Sequence, residues 1–275
     1  MRILLYSNVF IALAAGVLTL GSFFIIHQVP DLWLCAWVSL ASFCVYTAQR
    51  LMKLRAYAMR ADQMAWVARH RKTLVYGSGI SLLLSFILGM KMSWDLLWSL
   101  WPVVIISMLY ALPFIPSGGE KKALREVPGI KIFLIATVWT FITLLLPMKA
   151  SGIAIGAFEQ SLLIERFCFI LAITIPFDIR DLDHDSKDMH TLPQLMGVNG
   201  SIIFAIALLF FAIIIEHLGI YEGHIETHTA ALTSSVYALC IALLWTGKKP
   251  RPYWYYNGLL DGMIMLLGAL LIYSR

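Results

Sequence analysis

From Ile3 to Ile26 the chain runs without one charged side chain, and comparable apolar stretches recur along its whole length. A bilayer is the environment that most restricts such a polymer. No water reaches its hydrocarbon, so every backbone N–H and C=O must be satisfied inside the protein. A crossing helix takes about 20 mostly apolar residues, and the runs have that length. The composition agrees, with 60% hydrophobic residues, 13% charged residues and a mean hydropathy of +0.80. Soluble domains carry about 25% charge. No segment reads as a long soluble domain. The first run is too long for a signal peptide and lacks a small-residue cleavage site before a polar chain, so it reads as the first span.

The segmentation predicts an all-α membrane protein with nine transmembrane helices in a single domain, 1–275. The spans fall at 3–26, 32–49, 74–90, 95–115, 130–148, 159–177, 201–219, 229–246 and 254–273. Positive charge tests this division, because Lys and Arg favour cytoplasmic loops. With the N-terminus inside, the four inner loops hold seven, three, two and three Lys/Arg residues. The outer loops hold only Lys91 and Lys149. The formal excess of +5 therefore gathers on one membrane face, where anionic headgroups account for it without nucleic acid. The stretch 51–70 reads as an amphipathic interfacial helix or as a solvated basic connector. Cys35, Cys44, Cys168 and Cys240 fall inside spans and form no C-x-x-C pair, which suggests neither a disulfide framework nor a zinc site.

Where the sixth span ends, five aspartates occupy the eleven positions from 178 to 188. Asp178, Asp181, Asp185 and Asp188 are spaced 3, 4 and 3, which places them on one stripe of a helix. Carboxylates so stacked repel unless a cation sits among them. Oxygen ligands without cysteine favour Mg2+ or Mn2+, and Mg2+ takes one or two carboxylates and shares its other positions with water and phosphate oxygens. A phosphorylated ligand is therefore expected. Asp181, Asp183 and Asp185 also spell D-x-D-x-D, but Ser186 and Leu192 stand where a calcium loop needs Gly and Glu. A solvated acidic loop is the plain alternative. His184 and His190 read as polar loop residues rather than ligands.

The run DIRDLDHD followed by TLPQLMG resembles the second aspartate-rich motif of the UbiA superfamily of intramembrane prenyltransferases. Its D-x-x-D-x-x-x-D pattern falls on Asp178, Asp181 and Asp185, and its Thr-Leu-Pro and glycine fall on Thr191, Leu192, Pro193 and Gly197. The stretch YALPFIPSGGEKKALREVPGIK is similar to the family's loop after the fourth helix. The resemblance implies a helical horseshoe around a central cavity. It also implies transfer of a prenyl group from a prenyl diphosphate to an aromatic ring, a quinone precursor, haem or another lipophilic acceptor.

The family's first motif, N-D-x-x-D-x-x-x-D, should fall near CVYTAQRLMKLR, yet no carboxylate occurs between Asp31 and Asp62. Tyr46, Arg50 and Lys53 share that helix face instead. The fourth-helix element also departs, with Tyr110 followed by Phe114 and then Lys121, Lys122 and Arg125. One Mg2+ site is thus expected, on Asp178, Asp181 and Asp185, which are also the expected catalytic residues. The expected diphosphate contacts are Arg50, Lys53, Tyr46, Arg180, Tyr110, Lys122 and Arg125, with Arg50 standing in for a second metal because its fork suits phosphate oxygens. Three other classes remain. They are a noncatalytic relative that binds a lipid diphosphate or a partner, a cation-coupled transporter, and a CDP-alcohol phosphotransferase. The last is poorly matched, since the only Asp-Gly pair, Asp261-Gly262, continues as Met263-Ile264-Met265.

The alternation of charge predicts that a reporter fused at Arg275 and one inserted within 178–190 face opposite sides of the membrane, with the aspartates inside. Fusions reporting the same side would end the nine-span reading.

Overall fold

A computed structural model describes residues 2–55, 61–112, 115–117, 120–124, 127, 129–182, 189–249 and 251–274. The helices in chain order are α1 (Arg2–Tyr6), α2 (Val9–Ile25), α3 (Leu32–Arg55), α4 (Ala61–Arg69), α5 (Arg71–Gly89), α6 (Trp94–Ser99) and α7 (Trp101–Ala111). They continue with α8 (Lys131–Thr140), α9 (Leu146–Ala150), α10 (Ala157–Asp181), α11 (Leu192–Tyr221), α12 (Thr227–Thr246) and α13 (Asp261–Tyr273). A π-helical turn, Phe141–Leu145, joins α8 to α9, and another, Tyr255–Leu260, leads into α13. Two three-residue strands, β1 (Ile115–Ser117) and β2 (Glu120–Lys122), pair antiparallel with Ile115 opposite Lys122. This hairpin is the one departure from an all-helical fold among the described residues.

Six of the described helical stretches are long and apolar enough to cross a membrane: Leu32–Met52, Arg71–Gly89, Lys131–Ala150, Leu192–Tyr221, Thr227–Thr246 and Tyr255–Tyr273. Val9–Ile25 and Trp94–Tyr110 are shorter apolar helices. Neighbours pack in the order α5, α3, α2, α13, α12, α11, α10, α8, α7. The core concentrates on α2 and α10, where Ala14, Ala15, Leu18, Phe169, Ala172 and Ile175 are fully enclosed. The outward faces of α5 and α7 expose Ile80, Leu82, Phe86, Val104 and Met108, a surface suited to lipid.

Several expected boundaries move, each for a local reason. The first span is broken at Asn8, whose backbone is left-handed (φ 67°) and whose amide Nδ2 lies 3.5 Å from Thr47 Oγ1. The span expected at 95–115 divides at Leu100, and Pro102 sits in the first turn of α7, where its missing N–H costs nothing. The span expected at 201–219 lies within a longer helical stretch that starts nine residues earlier. There the Thr191 N–H donates to Gln194 Oε1 at 3.0 Å, and Pro193 occupies the first turn. Gly197 interrupts that stretch with φ 71°, a conformation that favours glycine. Of the stretch 51–70, residues 56–60 lie outside the described ones, and α4 is neither a free interfacial helix nor a solvated connector, since it packs on α1. Trp66 meets Tyr6 edge to face at 5.7 Å, and Tyr6 donates to Asp62 Oδ2 at 3.0 Å.

Charged groups also lie inside the bundle. On α10, Glu165 and Arg166 are 2% and 1% exposed, and on α11 Glu216 is 1% exposed. Arg166 Nη1 donates to Ser22 Oγ on α2 at 3.0 Å and to Thr143 Oγ1 at 3.4 Å. On α12, Tyr237 donates to Glu165 and Thr233 donates to Glu216. An intramembrane charge is stabilised only by such partners.

Helices α2 and α13 approach each other backbone to backbone. A Cβ on Gly268 would stand 2.6 Å from Val17 O and 2.7 Å from Leu18 Cα, and one on Gly21 would stand 2.6 Å from Gly268 O. These neighbours are backbone and cannot rotate away. Gly268→Ala is expected to lower stability by about 1–3 kcal/mol, the scale of overpacking. Gly79→Ala, which meets nothing within 4 Å, should leave it unchanged; thermal unfolding in detergent makes the comparison.

Candidate active site at the aspartate end of the bundle

The site grows from the end of α10. Pro176 and Phe177 bring the chain to Asp178, which is 2% exposed, and the helix closes at Asp181. Only two of the expected three ligands are thereby fixed, because Asp185 lies outside the described residues, as do Asp183 and Asp188. Asp178 Oδ1 is 2.8 Å from Lys131 Nζ in the first turn of α8. The backbone steers that lysine inward: Gly129, at φ 71°, donates its N–H to Met189 O at 2.9 Å. This bond ties the entrance of α8 to the chain returning from the aspartates. Asp181 is gripped from the neighbouring position, with Arg180 Nε and Nη2 at 2.7 and 3.0 Å from its two oxygens.

Arg180 also stands over the rings of Phe177 and Tyr256, at 5.1 and 5.2 Å, within cation–π range. Charge coupling links it to Asp261, Tyr253 and Arg50. Asp261, at the start of α13, is 8% exposed and lies 3.4 Å from Asn257 Nδ2. The sequence reading placed Asp261 only as part of an unproductive Asp-Gly pair. Its position about two turns into an apolar span is the signal that it has a partner to find.

Arg50 reaches the same region from α3. Its Nη1 donates to the carbonyls of Leu5 and Tyr6, and Nη2 donates to Tyr253 Oη at 3.2 Å. The break at Asn8 explains the first two contacts. A helix end leaves its last carbonyls without intrahelical donors, and a cation near them is favoured. Gln63 Nε2 donates to the same Tyr253 oxygen at 3.1 Å, leaving the tyrosine O–H as a donor. Burial pushes the Tyr253 phenol up, against the lowering charge of Arg50, so it stays neutral.

Tyr46 is engaged elsewhere on this end, where its hydroxyl accepts from Trp139 Nε1 at 2.9 Å. Tyr110 is half-buried on α7 and coupled to Tyr46. Lys53 lies on α3 and Lys122 on β2, but their side chains are outside the described set, and so is Arg125 altogether. The structure thus gathers Arg50, Arg180, Asp178 and Asp181 at one end. It adds Lys131, Tyr253, Tyr256 and Asp261, which the sequence reading did not name as site residues.

The chemistry of the described donors suits a hard divalent cation: Asp178 and Asp181 offer carboxylate oxygens one helical turn apart on one face. Lys131 and Arg180 hold those oxygens here with positive charge, the charge type that such a cation carries. No group of three or more His, Cys, Asp or Glu side chains able to hold a metal occurs among the described residues.

No family model matches the chain, and no curated protein matches it. Solved structures do match. The chain superposes on an apo UbiA homolog from Aeropyrum pernix K1 with a TM-score of 0.68 and 13% identity, covering 96% of each chain. It superposes on a digeranylgeranylglyceryl phosphate synthase with a TM-score of 0.60 and 16% identity, covering 99% of this chain and 96% of that one. Over nearly its whole length this integral membrane protein therefore shares its fold with these two solved structures, a UbiA homolog and a digeranylgeranylglyceryl phosphate synthase.

Proposed function

We propose that the chain is a UbiA-type intramembrane prenyltransferase that moves a prenyl group from a prenyl diphosphate to a lipophilic acceptor. The observation that carries this reading is the buried Asp178, one turn from Asp181 at the end of α10 in a UbiA fold. Nine membrane crossings, with the aspartate end cytoplasmic and the C-terminus outside, complete the proposal. One Mg2+ would be held by Asp178 and Asp181 with Asp185, and it would supply positive charge against the leaving diphosphate.

The chain's own residues do the rest of the work. Arg50 and Arg180 set guanidinium charge near the place where the diphosphate develops negative charge, and Lys131 adds an ammonium beside Asp178. Charge placed in advance in a dry site needs no reorganisation as the bond breaks. Tyr253 presents a neutral hydroxyl to a phosphate oxygen. Tyr46 and Trp139 pack together at this end of the bundle, and aromatic rings of that kind would stabilise the allylic cation left behind.

A second reading has its own support. Asp178 and Asp181 each carry a protein cation, and Arg50 caps α1. Those contacts suit a noncatalytic relative that binds a lipid diphosphate. Incubating the purified protein with radiolabelled prenyl diphosphates and a membrane-lipid extract, with and without Mg2+, separates the two. Prenylated lipid that forms only with Mg2+ is the expected result, and binding without turnover selects the noncatalytic reading.

Two variant series test the parts. Asp181→Ala and Asp185→Ala are expected to abolish Mg2+-dependent prenyl diphosphate binding in calorimetry, and undiminished binding in both would return the segment to a solvated acidic loop. Arg50→Ala should reduce turnover by about 10²–10³, the scale of a lost charge-stabilising group. Arg50→Lys should recover part of that, since lysine lacks the planar fork. If Arg50 serves α1 alone, its variants will melt earlier while the folded protein keeps its turnover.

A further inference from the structure

Lys91 and Lys149, the isolated basic residues of the expected outer loops, come from segments 58 positions apart and meet in one cavity. The cavity holds about 490 Å3. It lies between the start of α3, the turn from α5 into α6, and the end of α9, at the opposite end of the bundle from the aspartates. Asp31 and Asp95 line it as well, so its charge is balanced, two positive against two negative. Leu34 and Leu96, 2% and 8% exposed, form an apolar floor beneath these charges.

The charges are placed for an outside ligand. Lys91 Nζ stands 3.6 Å from the centre of the Trp33 ring, which fixes the ammonium at the cavity wall. Asp31 Oδ1 accepts the N–H groups of Trp33 and Leu34 at 2.9 and 3.0 Å, leaving its second oxygen available. The Lys149 and Asp95 side chains form no ion pair or hydrogen bond among the described residues. Opposite charges therefore line one cavity without neutralising each other directly.

The surroundings place the cavity at headgroup depth. Trp33, in its wall, is 59% exposed, and Trp94 and Trp98, next in sequence to lining residues of α6, are 84% and 74% exposed. Exposed tryptophans concentrate where hydrocarbon meets water, so this cavity opens where lipid headgroups lie. We propose that it is a binding site for a zwitterionic aminophospholipid headgroup, with the phosphate between Lys91 and Lys149 and the ammonium against Asp95 and Asp31. A purely anionic headgroup would satisfy the lysines but face two uncompensated carboxylates. A quaternary ammonium carries no N–H to donate to them. A primary ammonium, with three donors, satisfies both requirements. The proposal is independent of the chemistry at the aspartate end.

Native mass spectrometry of the full-length protein in detergent, titrated with phosphatidylethanolamine, phosphatidylcholine or phosphatidylglycerol, reads this directly. Wild type is expected to retain phosphatidylethanolamine in preference to the other two. The double variant Lys91→Gln/Lys149→Gln should lose about fivefold in that retention, the scale of exposed charge contacts. Asp95→Asn should shift the preference towards phosphatidylglycerol. Glycerophosphoethanolamine, added as a competitor, distinguishes the sources: failure to displace the lipid assigns the site to membrane lipid, and displacement assigns it to the soluble headgroup. Equal retention of all three lipids by wild type, or a double variant that binds as wild type does, overturns the proposal. All these side chains are exposed, so the variants should melt with the wild type.

Discussion

A guanidinium without water must have its charge answered on the spot, and Arg166 imposes that demand on the middle of this bundle. Its partners lie on α2 and in the π-helical turn after α8, while Glu165 beside it takes the Tyr237 hydroxyl from α12. Glu216 and Thr233 join α11 to α12 in the same layer. Removing one partner from a buried charge pair typically costs about 3–5 kcal/mol, because the other charge is left unpaired in an apolar medium. The layer therefore opposes sliding of α10 against its neighbours. Asp178 lies twelve residues further along the same helix, about 18 Å at 1.5 Å per residue. A helix fixed in the middle delivers its end to a defined place, and the aspartate site inherits that precision.

The two ends of the bundle handle charge differently. At the aspartate end, opposite charges already touch: Lys131 meets Asp178 and Arg180 meets Asp181, with Asp261 close enough to feel both arginines. A ligand entering there must exchange one ion pair for another, which favours multivalent anions and divalent cations over single charges. At the opposite end the lysines and aspartates line a cavity open to water, where weak contacts form without first breaking stronger ones.

Much of the helical layout was legible because lipid enforces it. Each long apolar run became helical, and the charge pattern marked where helices turn back. The resemblance carried by DIRDLDHD and TLPQLMG pointed to the fold that the superpositions show. The breaks were less legible, because Asn8 and Leu100 interrupt runs whose hydropathy never falters. The start of α11 was hidden for the opposite reason, since Gln194, Gly197, Asn199 and Gly200 look too polar for a membrane helix. Partners were hardest to read. The place of Arg50 on a helix face is readable, but its hydrogen bond to Tyr253 spans 203 positions. Lys131 stands at the end of the loop after α7, and nothing local says that it reaches Asp178. Glu165 and Arg166 are adjacent charges within a span, and that adjacency alone does not name their partners on α2 and α12.

The contact between Gly21 and Gly268 has a consequence for how the protein is made. Helix α2 completes its packing against α13, whose glycine stands 247 positions further along the chain. Until α13 is made, α2 presents a glycine-lined face with its proper partner still missing. The growing protein must hold that place open while the helices between the two are added, and any small-residue helix nearby is a competitor for it. The arrival of α13 is thus the event that closes this seam, and a chain cut before it would leave α2 unsealed.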